Sequence, residues 1–188
     1  VWALGVLSAQ SATYYVDCDR PDNSGDGLSW ATAKRTIQAA VDAAAPGDTI
    51  RVGPGTYSEG TTLTPGSTIR SRVVCGKAVA IESTDGAEAT IILGERDPVD
   101  TSYQGTGANA VRCVYMSAGT LTGFTLTGGA TSSETADVVH CKGGGFQAPN
   151  GTPVVYDCIV SNNAAAAART RARSTARGSS ATSPPTTA

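Results

Sequence analysis

After Pro46 the chain never regains a helical period. It proceeds instead as short β-branched runs separated by Gly, Thr, Ser and Asn. Runs of this length cannot each bury a face alone, so they must stack on one another. Two observations suggest how. The segment LTGFTLTGGA, residues 121–130, lies over VYDCIVSNNA, residues 155–164, at an offset of 34. Three shorter matches, Asp48-Thr49-Ile50, Ser67-Thr68-Ile69 and Ala89-Thr90-Ile91, follow one another at offsets of 19 and 22. A period near 20 residues predicts an all-β solenoid whose coils stack one on the next, the longer spacings being loops that bulge outward, such as 131–140. Gly143-Gly144-Gly145 then suits tight corners, and Asn162-Asn163 suits a corner too, because Asn tolerates the left-handed region.

The composition fits thin layers. Hydrophobic residues make up 40% of the 188, but only 5% are aromatic and 22 are glycine, so the core is expected to be Ala, Val, Ile and Leu. A short strand is expected at Tyr14–Asp17, followed by the polar loop DCDRPDNSGDGLSW. One helix stands out at about 36–45, with Thr36 placed to cap it and Ile37, Ala40, Val41 and Ala44 on one face. Pro46-Gly47 ends it, and 48–52 follows as a strand before the turn Gly53-Pro54-Gly55. This helix is expected to lie as a lid over open strand edges, with Trp30 packed beneath it.

The stretch SGDGLSWATAKRTIQAAVDAAAPGDTIRVGPGTY, with the later AVRCVYMSAGTLTGFTLTGGAT and the GGG…DCIVSNNA pattern, resembles the beginning of secreted right-handed parallel β-helix proteins of the pectin-lyase-like superfamily. The resemblance covers about 13–163. It implies a right-handed parallel β-helix with a short N-terminal capping helix, truncated at its C-terminal end. It also implies two kinds of chemistry, lyases with a calcium-binding acidic cluster and an Arg or Lys base, and hydrolases with paired carboxylates. No catalytic residue of the family can be carried onto this chain: Glu82, Glu95, Asp97, Asp100 and Asp157 are isolated, whereas hydrolysis needs two carboxyls flanking one bond.

Other candidates are few. Asp22, Ser24 and Asp26, with Gly27, match positions 1, 3, 5 and 6 of a calcium loop, but the twelfth position is Ala33 where a bidentate carboxylate is needed. Asp22 and Asp26 are therefore a calcium candidate set against an Asp/Asn/Gly turn, and no other cofactor is indicated. Tyr57, Tyr103 and Tyr115 are the candidates for stacking on sugar rings. His140, the single histidine, neighbours Cys141, and the two would point to opposite faces of a strand. The five cysteines include no CxxC pair, which argues against structural zinc; they are either buried thiols or, in an exported chain, one or two disulfides with a thiol left over. Asn150-Gly151-Thr152 forms a glycosylation sequon, but between Pro149 and Pro153 it reads as a turn.

The two ends differ in charge from the body. Residues 1–163 hold all 16 acidic residues and 10 of the 14 basic ones, while Arg169, Arg171, Arg173 and Arg177 make the tail basic. An acidic body is a poor partner for nucleic acid. Residues 1–12 read as the remnant of an export signal, and no run approaches the roughly 20 apolar residues of a membrane span. The tail, 164–188, reads as disordered and as a frameshift product, since GCG-rich alanine codons shifted by two bases encode a Gly-rich corner. Two functions follow. One is an exported, secreted or cell-surface module for adhesion or polysaccharide binding that does no catalysis itself. The other is the N-terminal fragment of a polysaccharide lyase or glycoside hydrolase acting on acidic polysaccharides.

Overall fold

The computed structural model of the chain describes residues 10–100, 105–132 and 142–166. The described residues open with β1 (Thr13–Val16), a 3-10 turn at Trp30–Thr32 and α1 (Ile37–Ala43). Next come β2 (Thr49–Val52), β3 (Gly55–Tyr57), β4 (Thr62–Leu63) and β5 (Arg70–Cys75). Two further rounds supply β6 (Ala80–Ser83), β7 (Thr90–Leu93), β8 (Val111–Met116), β9 (Thr120–Thr122), β10 (Thr125–Thr127) and β11 (Phe146–Gln147). The last strands are β12 (Val154–Tyr156) and β13 (Ile159–Ser161).

From β5 onward every third strand joins the same sheet. The first sheet runs β1-β2-β6-β9-β12, the second β13-β10-β7-β3 and the third β11-β8-β5-β4. All pairings are parallel except β4 with β5. The chain is therefore a parallel β-solenoid of about four turns, as the sequence predicts.

Its period, however, is not 20. Thr49 pairs with Ala80, Ala80 with Thr120 and Thr120 with Val154, so one coil takes 31, 40 and 34 residues in turn. The three short matches fall at three different corners: Ile50 is in the first sheet, Ile69 leads into the third and Ile91 is in the second. Each marks a Thr-Ile entry into a strand, and every strand needs one, whichever sheet it joins. The offset of 34 is the true register, because Leu121 lies opposite Val155 and Thr125 opposite Ile159.

That register also explains the corners. Gly123 and Asp157, 34 apart, both have positive φ (78° and 53°), and so do Gly128 and Asn162 (69° and 52°). Glycine in one coil is replaced by Asp or Asn in the next, the residues that bear the left-handed region at least cost. Asn163 closes the same corner, accepting from Gly129 N (2.8 Å) and donating to Leu126 O (2.9 Å). The ladder continues into the segment expected to be a disordered tail. Ala164 N donates to Gly129 O (2.8 Å) and Ala164 packs with Ala110 and Ala130, while Ala166 N donates to Thr131 Oγ1 (2.9 Å). The remainder of that segment lies outside the described residues, as do most of the export-signal remnant, His140 and Cys141.

Aligned aliphatic rows fill the interior. Ile50, Ile81 and Leu121 stack in register on the first sheet and Tyr57, Ile92 and Leu126 on the second, with Val73 and Val114 facing them from the third. The cysteines Cys18, Cys75, Cys113 and Cys158 are free thiols. Cys75 and Cys113 are buried, which raises both pKa values, Cys113 to about 11.

Helix α1 forms where expected but ends sooner. Thr36 Oγ1 accepts from Ala39 N (3.3 Å) at the N-cap, and Ala44 is already extended at ψ 147°. Two groups end it. Lys77 Nζ donates to the Val41 and Ala44 carbonyls (both 2.8 Å), and Asp48 accepts from Ala45 N and Ala12 N (both 2.7 Å). The apolar face, Ile37, Ala40 and Val41, joins the core. On its other side Gln38 reaches β5: its Oε1 accepts from Val74 N (2.7 Å) and its Nε2 donates to Val74 O (3.2 Å), occupying the ladder position of a neighbouring strand.

Trp30 is not beneath the helix. It sits on the 3-10 turn, 44% exposed, with its ring 4.8 Å from that of Tyr15 at 60°. The loop that carries it instead completes the outer edge of β1, where Tyr15 N donates to Gly27 O (2.7 Å) and Tyr15 O accepts from Lys34 N (2.9 Å).

Candidate functional site

The two tyrosine candidates among the described residues have different environments. Tyr57 is in the core, 5% exposed, with its hydroxyl donating to Gly53 O at 2.9 Å and lying 3.3 Å from Val16 O. Burial pushes its phenol well above the usual tyrosine range, and its ring is not available to a ligand. Tyr103 lies outside the described residues. Tyr115 borders a cavity of about 290 Å³ together with Pro65, Gly66, Lys142, Gln147, Ala148, Pro149 and Asn150. Tyr57 and Tyr115 thus do not share a surface.

The cavity sits against the third sheet. Tyr115 of β8 lies opposite Gln147 of β11 on one side and Val74 of β5 on the other, rungs about 4.8 Å apart. A turn makes one wall: Thr64 N donates to Ile69 O (2.9 Å), Ser67 N to Thr64 O (3.1 Å), and Gly66 takes a positive φ of 69°. The other wall runs from Lys142 to Asn150. It returns against the sheet at Gly151, where a Cβ would collide with the Ser117 carbonyl. That contact gives the Pro149 to Pro153 turn its physical reason.

Beneath the pocket lies a residue that the sequence pattern did not single out. Arg112 is fully buried, 0% exposed. Its Nε donates to Gly143 O (2.8 Å) and Nη2 to Lys142 O (3.0 Å), while Nη1 reaches Thr64 Oγ1 (3.3 Å) and Ser71 Oγ (3.4 Å). Among the described residues no carboxylate pairs with it. Desolvation lowers its pKa to about 10, so it stays charged at neutral pH. The signal was present in VRCVYM, an arginine inside an otherwise apolar strand. Gln147 and Lys142 gave no comparable signal, because only the fold brings them beside Tyr115.

This arrangement can bind but has no acid or base pair. Its polar groups are two amides, an ammonium and a phenol; no carboxylate is among its lining residues. Of the five acidic residues weighed for catalysis, Glu95, Asp97 and Asp157 have other places in the fold. Glu95 pairs with Arg72 at 3.1 Å. Asp97 accepts from Asn109 N and Val99 N (both 2.9 Å), bonds that hold its carboxyl below the usual range. Asp157 occupies a corner. A smaller recess of about 40 Å³, beside Cys18, Arg35 and Arg72, has room for a few waters, and both guanidiniums are already paired, with Glu59 and Glu95.

The calcium candidates face their own loop. Asp22 Oδ1 accepts from Ser24 N (2.8 Å), and Asp26 Oδ1 accepts from Thr32 Oγ1 (2.6 Å) and Leu28 N (2.9 Å). The bonds to Ser24 and Thr32 are the main reason that both carboxyls are held below their ordinary range. Among the described residues no three His, Cys, Asp or Glu side chains gather as a metal-holding group. No described helix is long and apolar enough to cross a membrane.

No family model matches the chain, and a search of curated proteins and of solved structures finds no match. The solenoid therefore rests on its own strand pairing and register.

Proposed function

We propose that this chain is a module of a secreted or cell-surface protein that binds polysaccharide through the Tyr115 pocket and does no catalysis itself. The observation that carries the reading is the set of groups around one cavity. An edge of aromatic ring is joined by the amides of Gln147 and Asn150 and the ammonium of Lys142. Sugar hydroxyls both donate and accept, and amides meet them in both senses. A volume of about 290 Å³ is at the small end for ligand pockets, which favours a mono- or disaccharide unit of a longer chain. The same reading takes the coil to be right-handed and pectin-lyase-like, with α1 as its N-terminal cap. The Gln38 plug on Val74 and the two-residue links at 53–54, 123–124 and 157–158 support it. Nucleic acid is not the partner of an acidic body, and a bound Ca²⁺ at Asp22 and Asp26 is not required.

The test is titration of the parent protein and of the Gln147→Ala and Asn150→Ala variants with short oligosaccharides, followed by NMR. Binding should perturb the signals of Tyr115 and Lys142, and each variant should weaken it. Binding that survives both substitutions would refute the pocket. Incubation with polygalacturonan distinguishes the alternative: cleavage with double-bond formation would place the chain among the lyases.

A further inference from the structure

We infer that Arg112 is the positioning residue that sets the gap between the two walls of the Tyr115 pocket. The inference rests on reading that pocket as a ligand site. Its starting point is a cost that needs a reason: a guanidinium taken wholly out of water and given no carboxylate among the described residues is an expensive thing to bury. A neutral side chain would pack the same strand position with less penalty. What an apolar residue could not do is reach both walls at once.

Arg112 reaches them through opposite parts of one rigid fork. Nη1 bonds Thr64 Oγ1, the residue directly before Pro65-Gly66 in the first wall. Nη2 and Nε bond the carbonyls of Lys142 and Gly143, where the second wall begins. Ser71 Oγ, itself 2.9 Å from Thr64 Oγ1, ties the same guanidinium to β5. The planar head has donors in fixed directions, so the separation of the Thr64 hydroxyl from the two carbonyls is fixed by one covalent frame. Besides this, each wall is held in the sheet only by a two-residue strand: Pro65-Gly66 is in the turn after β4, and Lys142 lies before β11. Arg112 does not touch a ligand, being fully buried; it acts through the backbone that does.

Lysine keeps the charge, but its donors radiate from one nitrogen and do not reproduce the spread of Nε, Nη1 and Nη2 across the two walls. This separates positioning from a mere field effect. The experiment compares the parent with Arg112→Lys and Thr64→Val by amide hydrogen exchange and by titration with trisaccharides of glucose and of galacturonate. In Arg112→Lys, exchange should accelerate at least about tenfold over 61–69 and 142–148, the equivalent of one lost charge-assisted hydrogen bond, while β2, β6 and β9 keep their protection. Affinity for the trisaccharide that the parent binds should fall by a similar factor with stoichiometry unchanged. Thr64→Val, the milder change, should loosen only 61–69, and it keeps the inference open to refutation should Arg112→Lys not fold. Unchanged wall exchange in both variants would overturn the brace, and so would uniform loss of protection across all three sheets. A parent that binds neither trisaccharide would sink the proposed function, whereas the exchange rates would still decide, on their own, whether Arg112 braces the walls.

Discussion

Replacing Gln38 tests whether a side chain is standing in for a strand. The amide of Gln38 makes two bonds to one residue, with Val74 N at 2.7 Å and Val74 O at 3.2 Å, so Gln38→Ala strips the edge of β5 of both partners at once. Each such bond contributes about 0.5–1.5 kcal/mol net, and a donor or acceptor left without water costs more. A loss of about 2 kcal/mol is expected. With a urea slope of about 2 kcal/mol/M, the unfolding midpoint should drop by about 1 M. Gln38→Glu sharpens the test. It retains an acceptor for Val74 N but removes the donor and sets a carboxylate beside Asp42, whose Oδ1 now accepts from Gln38 Nε2 at 2.8 Å. At pH 7 it should be at least as damaging as alanine, and the deficit should shrink as the pH falls toward about 4.3, because a carboxylate crowded by Asp42 and the Val74 carbonyl protonates above the ordinary glutamate value. Both variants should also show concentration-dependent light scattering, because an uncovered strand edge recruits strands from other molecules. Changes under about 0.5 kcal/mol in both, within the range of ordinary surface substitutions, would mean that the β5 edge does not depend on Gln38.

The remaining expectations follow from the core, from one carboxylate and from the loop. Leu121→Ala, at a fully buried site, should cost about 2–5 kcal/mol in chemical denaturation, whereas Val160→Ala, 57% exposed at the last coil, should cost far less; equal losses would refute the core assignment. Asp48 is stabilised as a carboxylate, first by Ala45 N and then by Ala12 N, so its folded pKa lies below the ordinary 3.8. Its contribution is therefore complete above about pH 4 and lost as the pH falls through the lowered value, and Asp48→Asn should flatten the acid limb of a stability profile. Asp26→Ala should lower Tm in a thermal melt through loss of the Thr32 and Leu28 bonds, by the same amount with and without millimolar calcium. A calcium-dependent rise in the parent that the variant lacks would restore the metal reading.

What the residues disclosed depended on how locally each element is determined. Helix α1 was legible because its cap and its apolar face lie within ten residues of one another. The offset of 34 was legible because Gly123 and Gly128 recur as Asp157 and Asn162, and backbone with positive φ admits few residue types. The false period near 20 came from local sequence too, since Thr-Ile opens β2 and β7 and precedes β5, three strands of three different sheets. The pocket was half visible. Tyr115 could be picked out as an aromatic, but so could Tyr57, and only three-dimensional stacking decides that Tyr57 faces Ile92 while Tyr115 faces Gln147. Trp30 was misplaced because its partner, Tyr15, belongs to the first strand, across the loop, and not to the adjacent helix.

The three corners of the coil differ in how freely they can be lengthened. From the first sheet to the second the chain crosses in two residues at 53–54, 123–124 and 157–158 and in six at 84–89. From the second sheet to the third it takes long detours, such as 94–110 and 128–145. Because loop closure penalises added length only slowly, these detours can grow or shrink while the aliphatic rows stay aligned. They open onto the third sheet, against which the Tyr115 cavity lies. The solenoid therefore varies by only a few residues at one corner and by many at another, so that new recognition surfaces have most room on the long side.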